Sequence, residues 1–188
     1  KFYNTKRRGG TMSKILSTQM SGLFQRIIQS EEDAIEETAR LLAQASVGQG
    51  KVYFACFDGL EAIETNALHG IEKFANLEKW SEDTVITDVD RVCIFTPSAE
   101  NLKAVELANM LYDKFIPFSV VSSEPPSEKN LLSDLAYTYV SMKIRGGILP
   151  HPTNLGERVV IPYLMAGLFV YEAIKLNYDE MLSDDDLD

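Results

Sequence analysis

Residues 88–122 run DVDRVCIFTPSAENLKAVELANMLYDKFIPFSVVS, and their order of apolar and polar positions sets the pattern for the whole chain. Arg91 to Phe95 is a short apolar run without alternation, as in a strand covered on both faces. Pro97 interrupts it. Helical spacing follows from Ala99 to Phe115 through Leu102, Val105, Leu107, Leu111 and Tyr112. Pro117 to Val121 is the next covered strand. Strand, polar turn, helix and strand is the repeating unit of a parallel sheet with helices on its faces.

The same grammar extends in both directions. Upstream, Val52 to Phe57 is a covered strand, Asp58-Gly59 a turn, and Leu60 to Phe74 a helix with Ile63, Ala67, Leu68 and Ile71 on its apolar face. Leu77 to Trp80 is expected as a short strand, and Thr84 to Val89 as a brief helical turn. Two helices are expected before these. Ser13 to Ile28 carries Ile15, Leu16, Met20, Leu23, Phe24, Ile27 and Ile28 at three- to four-residue spacing. Ser30, followed by Glu31, Glu32 and Asp33, has the form of an N-cap with acids on the positive end of a second helix ending at Gly48. Downstream, residues 122–130 (SSEPPSEKN) form a loop, Leu131 to Leu135 a short helix and Tyr137 to Ile144 a strand. Arg145 to Gly156, with three glycines and two prolines, is a long loop of the kind that often carries function. Glu157 to Leu176 closes the chain as an apolar helix, kinked or begun near Pro162. The expected fold is a three-layer α/β/α sandwich with a mostly parallel five-stranded, doubly wound sheet. Ligands in such folds bind beyond the carboxyl ends of the strands, which selects residues 57–61, 96–101, 122–130 and 145–158.

The chain has 188 residues, enough for one domain with a core of its own. Its 28 acids against 18 bases give a formal charge of −10, which disfavours nucleic acid and anionic membrane as partners. Lys1, Lys6, Arg7 and Arg8 crowd the amino end, and six acids lie in residues 179–188. Residues 1–11 are expected to be a disordered or externally added extension ahead of Met12, or alternatively a basic arm that binds something. Residues 12–178 are expected as the domain, and 179–188 as a solvated acidic tail. Cys56 and Cys93 sit in apolar runs, where cysteine behaves as a small buried hydrophobe. No CxxC spacing suggests zinc. No secretory leader or spanning segment is visible, so a cytoplasmic location is expected.

Two leading helices followed by strand–turn–helix units resemble the sugar isomerase (SIS) domain, and residues 88–122 are the strongest local echo. The best match is a small bacterial SIS-like family of unknown function whose members sometimes carry a phosphoheptose isomerase label. The resemblance covers residues 12–176. It implies a sugar phosphate held by hydroxyls and backbone N–H groups at a helix amino end, where small turn residues let the backbone approach. Where the family has Ser-x-Ser-Gly-x-Thr, this chain has Thr96-Pro97-Ser98-Ala99-Glu100-Asn101. Thr96, Ser98 and Asn101 keep polar groups, Pro97 removes an N–H, and Glu100 adds a charge that repels phosphate. Lys103 lies one turn along and is placed to offset it. The first turn supplies Asp58 and Gly59, again with an acid where an anion belongs. Ser98 and Asn101 also suit plain helix capping, and Asp58-Gly59 a plain tight turn.

The resemblance to phosphoheptose isomerases implies zinc held by His, Glu and Gln side chains. The chain departs from that set. His69 and Glu72 have the spacing of a surface ion pair, and the closing helix offers Tyr163, Tyr171 and Glu172 but no histidine. No metal or cofactor is therefore expected. His151, Glu157 and Arg158 form the remaining candidate cluster: Glu157 as base, His151 as proton shuttle and Arg158 as a bidentate anion ligand. The leading expectation is a SIS-fold protein that binds a phosphorylated sugar or related small anion. One alternative is a phosphosugar isomerase using Glu157 and His151. The other is a non-catalytic homodimeric scaffold with Leu16, Leu23 and Phe24 in its seam.

Overall fold

The computed structural model describes residues 9–185, with side chains for 12–183. The expectations for residues 1–8 and 186–188 lie outside the described residues. Five parallel strands form one sheet: β1 (Val52–Cys56), β2 (Leu77–Glu78), β3 (Arg91–Phe95), β4 (Phe118–Ser122) and β5 (Thr138–Ser141). Their spatial order is β2-β1-β3-β4-β5. The switch in direction falls beside β1, the arrangement of a doubly wound sheet.

Alternation along each strand divides the core. In β3, Cys93 and Phe95 face one cluster while Val92 and Ile94 face the other. The first layer contains α1 (Gly9–Val47), α2 (Glu61–His69) and α5 (Tyr163–Asp185). The second contains α3 (Leu102–Asp113) and α4 (Leu131–Leu135). Phe54 anchors the first layer, with ring centroids 4.9 Å from Phe74, 5.3 Å from Phe95 and 6.0 Å from Tyr171. Edge-to-face contacts of this kind add about 1 kcal/mol each to the burial of the rings. The two cysteines are buried and free. Burial pushes the Cys93 thiol up to about 12 and raises Cys56 as well, so both are packing residues.

Several boundaries differ from expectation. The leading segment is one continuous helix, not two. Ser30 does not cap: its hydroxyl donates to the carbonyl of Arg26 at 2.9 Å, a bond made inside a helix. Glu31, expected to serve a helix amino end, is buried and reaches β5. Its carboxylate accepts from the Ser141 amide at 2.9 Å and lies 2.7 Å from the Lys143 ammonium. A further bond joins the Thr38 and Thr138 hydroxyls at 2.7 Å. Tertiary partners thus carry the helix through the serine. Leu23 and Phe24, the expected dimer-seam residues, pack within the subunit: Leu23 is in the core and Phe24 stacks on Phe169 at 4.3 Å. Leu16 is partly buried against the same core.

Residues 84–89 are not helical. Asp90 organises them by accepting from the Thr87 amide at 2.7 Å and from the Lys51 amide at 2.8 Å. Helix α2 stops at His69, and α3 starts after Asn101, which caps it. Glu157 and Arg158 do not start the last helix. Arg158–Val159 is strand β7, paired antiparallel with β6 (Leu149–Pro150), and α5 begins at Tyr163 behind Pro162. That helix continues through much of the acidic stretch, with Met181 and Leu182 packed against the core. No helix among the described residues is long and apolar enough to cross a membrane.

Two substitutions test this architecture. Replacing a true N-cap serine by alanine costs about 1 kcal/mol, whereas alanine in a helix interior is favoured by roughly 0.5 kcal/mol. Ser30→Ala is therefore expected to leave the urea midpoint unchanged or slightly raised, and a clear drop would restore a helix break. Glu31→Ala strands the Ser141 amide and the Lys143 ammonium, and is expected to lower unfolding free energy by about 3 kcal/mol.

Candidate functional site

The carboxyl ends of β1, β3, β4 and β5 carry the polar residues of interest. The Thr96–Asn101 turn between β3 and α3 comes first. Thr96 is fully buried, and its hydroxyl donates to the Ser98 carbonyl at 2.8 Å. The Ser98 hydroxyl donates to Glu124 Oε1 at 3.2 Å and accepts from the Glu100 amide at 3.1 Å. The Ala99 amide donates to Glu124 Oε2 at 2.9 Å, and the Ser122 hydroxyl donates to the same oxygen at 3.0 Å. Asn101 accepts from the Ala104 amide at 2.9 Å and donates through Nδ2 to Asp58 Oδ2 at 2.6 Å. The turn does receive an anion, but the anion is a side chain of the same protein.

Glu124 is held firmly in that position. The Tyr139 hydroxyl donates to its carbonyl at 2.9 Å. Asn130 Nδ2 donates to the Tyr139 hydroxyl at 2.9 Å and to the Pro125 carbonyl at 3.1 Å, while Asn130 Oδ1 caps α4 through the Ser133 amide at 3.1 Å. Burial raises the Tyr139 phenol, keeping it a donor. Asp58, in the left-handed region at φ 53, points its carboxylate at α3 and so links the first two turns. Gly59, at φ 92, donates its amide to Glu61 at 2.8 Å. Lys103 does not offset Glu100, because it pairs with Glu82 at 2.7 Å. His69 makes no ion pair with Glu72 among the described residues, and no group of three His, Cys, Asp or Glu there is placed to hold a metal.

The cluster of His151, Glu157 and Arg158 comes together as a hairpin, not as a helix start. The His151 amide donates to the Glu157 carbonyl at 2.9 Å. His151 Nδ1 accepts from the Asn154 amide at 2.9 Å. Glu157 accepts from Asn154 Nδ2 at 3.0 Å. Arg158 donates to the carbonyls of Gly147 and Ile148, both at 2.7 Å. Gly147 is required there, since a Cβ would lie 2.6 Å from the Arg158 carbonyl carbon. Arg158 is thus mainly the tie that shapes residues 147–158.

A cleft of about 750 Å³ opens between α1 and the segment leaving β5. Four cations line it: Arg26, Lys143, Arg145 and Arg158. Leu23 and Ile148 give it apolar wall, and Ser123 reaches it from the end of β4. No carboxylate belongs to the lining. Lys143 takes a left-handed φ of 55 as the chain leaves β5, an uncommon conformation for a residue with a side chain. Ser123 is only 3% exposed, and its hydroxyl has no hydrogen-bond partner. Of the lining residues, Arg158 was singled out from sequence, and Ser123 and Arg145 lie in the selected segments 122–130 and 145–158. Arg26 and Arg145 lie far apart in the chain, and no local spacing joins them.

The chain belongs to the DUF2529 family, a domain of unknown function whose model matches residues 12–182. It is 32% identical over 176 residues to the uncharacterized protein YwjG of Bacillus subtilis (strain 168), covering 92% of this chain and 99% of that one. Among solved structures it is similar to a candidate phosphosugar isomerase involved in capsule formation from Bacteroides fragilis NCTC 9343. That match has a TM-score of 0.74 at 12% identity, over 94% of this chain and 92% of that one. It is also similar to the NanR protein of Vibrio vulnificus, solved in complex with ManNAc-6P. There the TM-score is 0.63 at 12% identity, over 92% of this chain and 62% of that one. These likenesses establish the SIS fold.

Arg158→Ala should loosen the hairpin without unfolding the domain. Losing two carbonyl bonds of the charge-assisted class, the Ile148 and His151 amides are expected to exchange with deuterium at least about tenfold faster, corresponding to roughly 1.4 kcal/mol of local opening. Unchanged protection at both amides would remove the tie assigned to Arg158.

Proposed function

We propose that this chain binds a phosphorylated sugar or a related small anion at the carboxyl edge of its sheet, as a binding protein first and a catalyst only secondarily. One observation carries the reading: a chain of formal charge −10 gathers Arg26, Lys143, Arg145 and Arg158 around one cleft whose lining has no acid. Glu31, outside the lining, already pairs with Lys143 at 2.7 Å, but among the described residues Arg26 and Arg145 have no ion pair, so like charges that repel one another are left for an anion to join. The cleft volume of about 750 Å³ is within the range of small-molecule sites. The ManNAc-6P complex of NanR supports the chemical class, because that fold relative holds a sugar phosphate.

The isomerase alternative finds less support. His151 and Glu157 bond within their own hairpin, and neither lines the cleft. A proton-transfer base must reach the substrate carbon it serves.

A thermal-shift panel of sugar phosphates, amino-sugar phosphates and nucleotide sugars tests the proposal. A ligand at 100 times its Kd stabilises by about 2.7 kcal/mol, worth roughly 5–10 °C in Tm for a domain of this size. A saturable shift with at least one phosphorylated sugar is expected, retained in Glu157→Gln. A flat response to the whole panel at ~10 mM, far above a useful Kd, would overturn it.

A further inference from the structure

The charged group of such a ligand has two places to go at this edge: the amino end of α3 and the α1 cleft. We propose that it is seated in the cleft, by Arg26 and Arg145 with Lys143 and Ser123, and that Glu124 keeps the α3 turn closed to it. This rests on the binding reading above and adds the location and orientation of the bound ligand.

The side-chain donors of the turn are engaged by named bonds. The Thr96, Ser98 and Asn101 side-chain donors each have an acceptor within the protein, and Pro97 has no N–H to offer. The Ala99 amide already faces a carboxylate at 2.9 Å. A phosphate entering there would have to expel Glu124 from three donors and sit between Asp58 and the exposed Glu100. Each of those displaced bonds is charge-assisted, the stronger class.

The cleft presents the opposite condition. Among the described residues, neither Arg26 nor Arg145 has an ion pair, and both are exposed. Lys143 has one partner, Glu31, for an ammonium with three donors. The buried Ser123 hydroxyl lies in the lining without a partner. Two free guanidinium forks, a lysine and an unused hydroxyl match the oxygens of a phosphomonoester, since guanidinium meets phosphate bidentately. Residues 122–124 divide the two environments: Ser122 and Glu124 bond into the turn, while Ser123 belongs to the cleft.

The test measures inorganic phosphate and fructose 6-phosphate binding by calorimetry at fixed ionic strength, in the wild-type chain and four variants. Arg26→Ala combined with Arg145→Ala, both exposed sites, is expected to weaken binding at least 30-fold. Ser123→Ala is expected to weaken it severalfold, and Ser98→Ala to change it less than threefold. Arg40→Ala combined with Lys103→Ala removes the same charge elsewhere and is expected to leave binding within threefold. A tenfold loss in Ser98→Ala with the arginine pair near wild type would place the anion at the turn and overturn the inference while keeping the binding reading. Equal losses in both double variants would reduce the effect to net charge and overturn it too. No binding of either probe to the wild-type chain, together with a flat thermal panel, would overturn both readings.

Discussion

Glu31 is the joint on which this edge of the molecule depends. A buried carboxylate is unfavourable unless its oxygens are occupied, and here an amide and an ammonium occupy them. Both partners come from the exit of β5, so the requirement fixes the middle of α1 against that exit. The long helix cannot slide or break at Ser30 without stranding the charge. From the same joint the chain turns through Lys143 into the segment that forms one wall of the cleft, with α1 as the other. The cleft therefore has two walls whose separation is set by Glu31, a residue outside its lining.

A second carboxylate governs the neighbouring turn. In the SIS arrangement the amino end of α3 is suited to an anion, because its first amides are unpaired and its dipole is positive. Here Asn101 accepts from the Ala104 amide of that end, and Glu124 accepts from the Ala99 amide in the turn before it. The Pro125-Pro126 pair stiffens the loop, and Tyr139 and Asn130 bond its backbone, so little freedom remains to be lost when the carboxylate docks. Asp58, which looked misplaced beside a phosphate, accepts from Asn101 in a turn that already holds the Glu124 carboxylate.

The strands were legible because a sheet covered on both faces needs continuous apolar runs, and VYFAC and RVCIF are such runs. Helix α3 starts three residues later than the apolar spacing from Ala99 suggests, since Ser98 and Asn101 are equally good capping residues and only the fold chooses Asn101. Ser30 misled because a serine followed by three acids carries the local form of a helix start, while its fate was decided by Ser141 and Lys143, more than a hundred positions away. Glu157 and Arg158 misled in the same way: charges suited to a helix start, in a segment where Gly147 and the Arg158 guanidinium favour a hairpin. In the Thr96–Asn101 turn the polar residues were legible, and the carboxylate that bonds to them was not. The only signal was an acid placed directly after the serines that end β4. Arg145 opens a segment selected at the sheet edge, but Arg26 carried no signal, because no sequence spacing joins a first helix to a last crossover.

The short ladders at the sheet margins also bear on how the protein coexists with copies of itself. A parallel sheet has two outer strands, and each unpaired amide there invites another chain to add on. On one side β2 is only two residues long, too brief to act as a template. On the other, the Ser141 amide of β5 is already taken by the Glu31 carboxylate. The residue that locates the cleft thus also occupies an outward amide of the edge strand, leaving one fewer donor there for another chain to pair with.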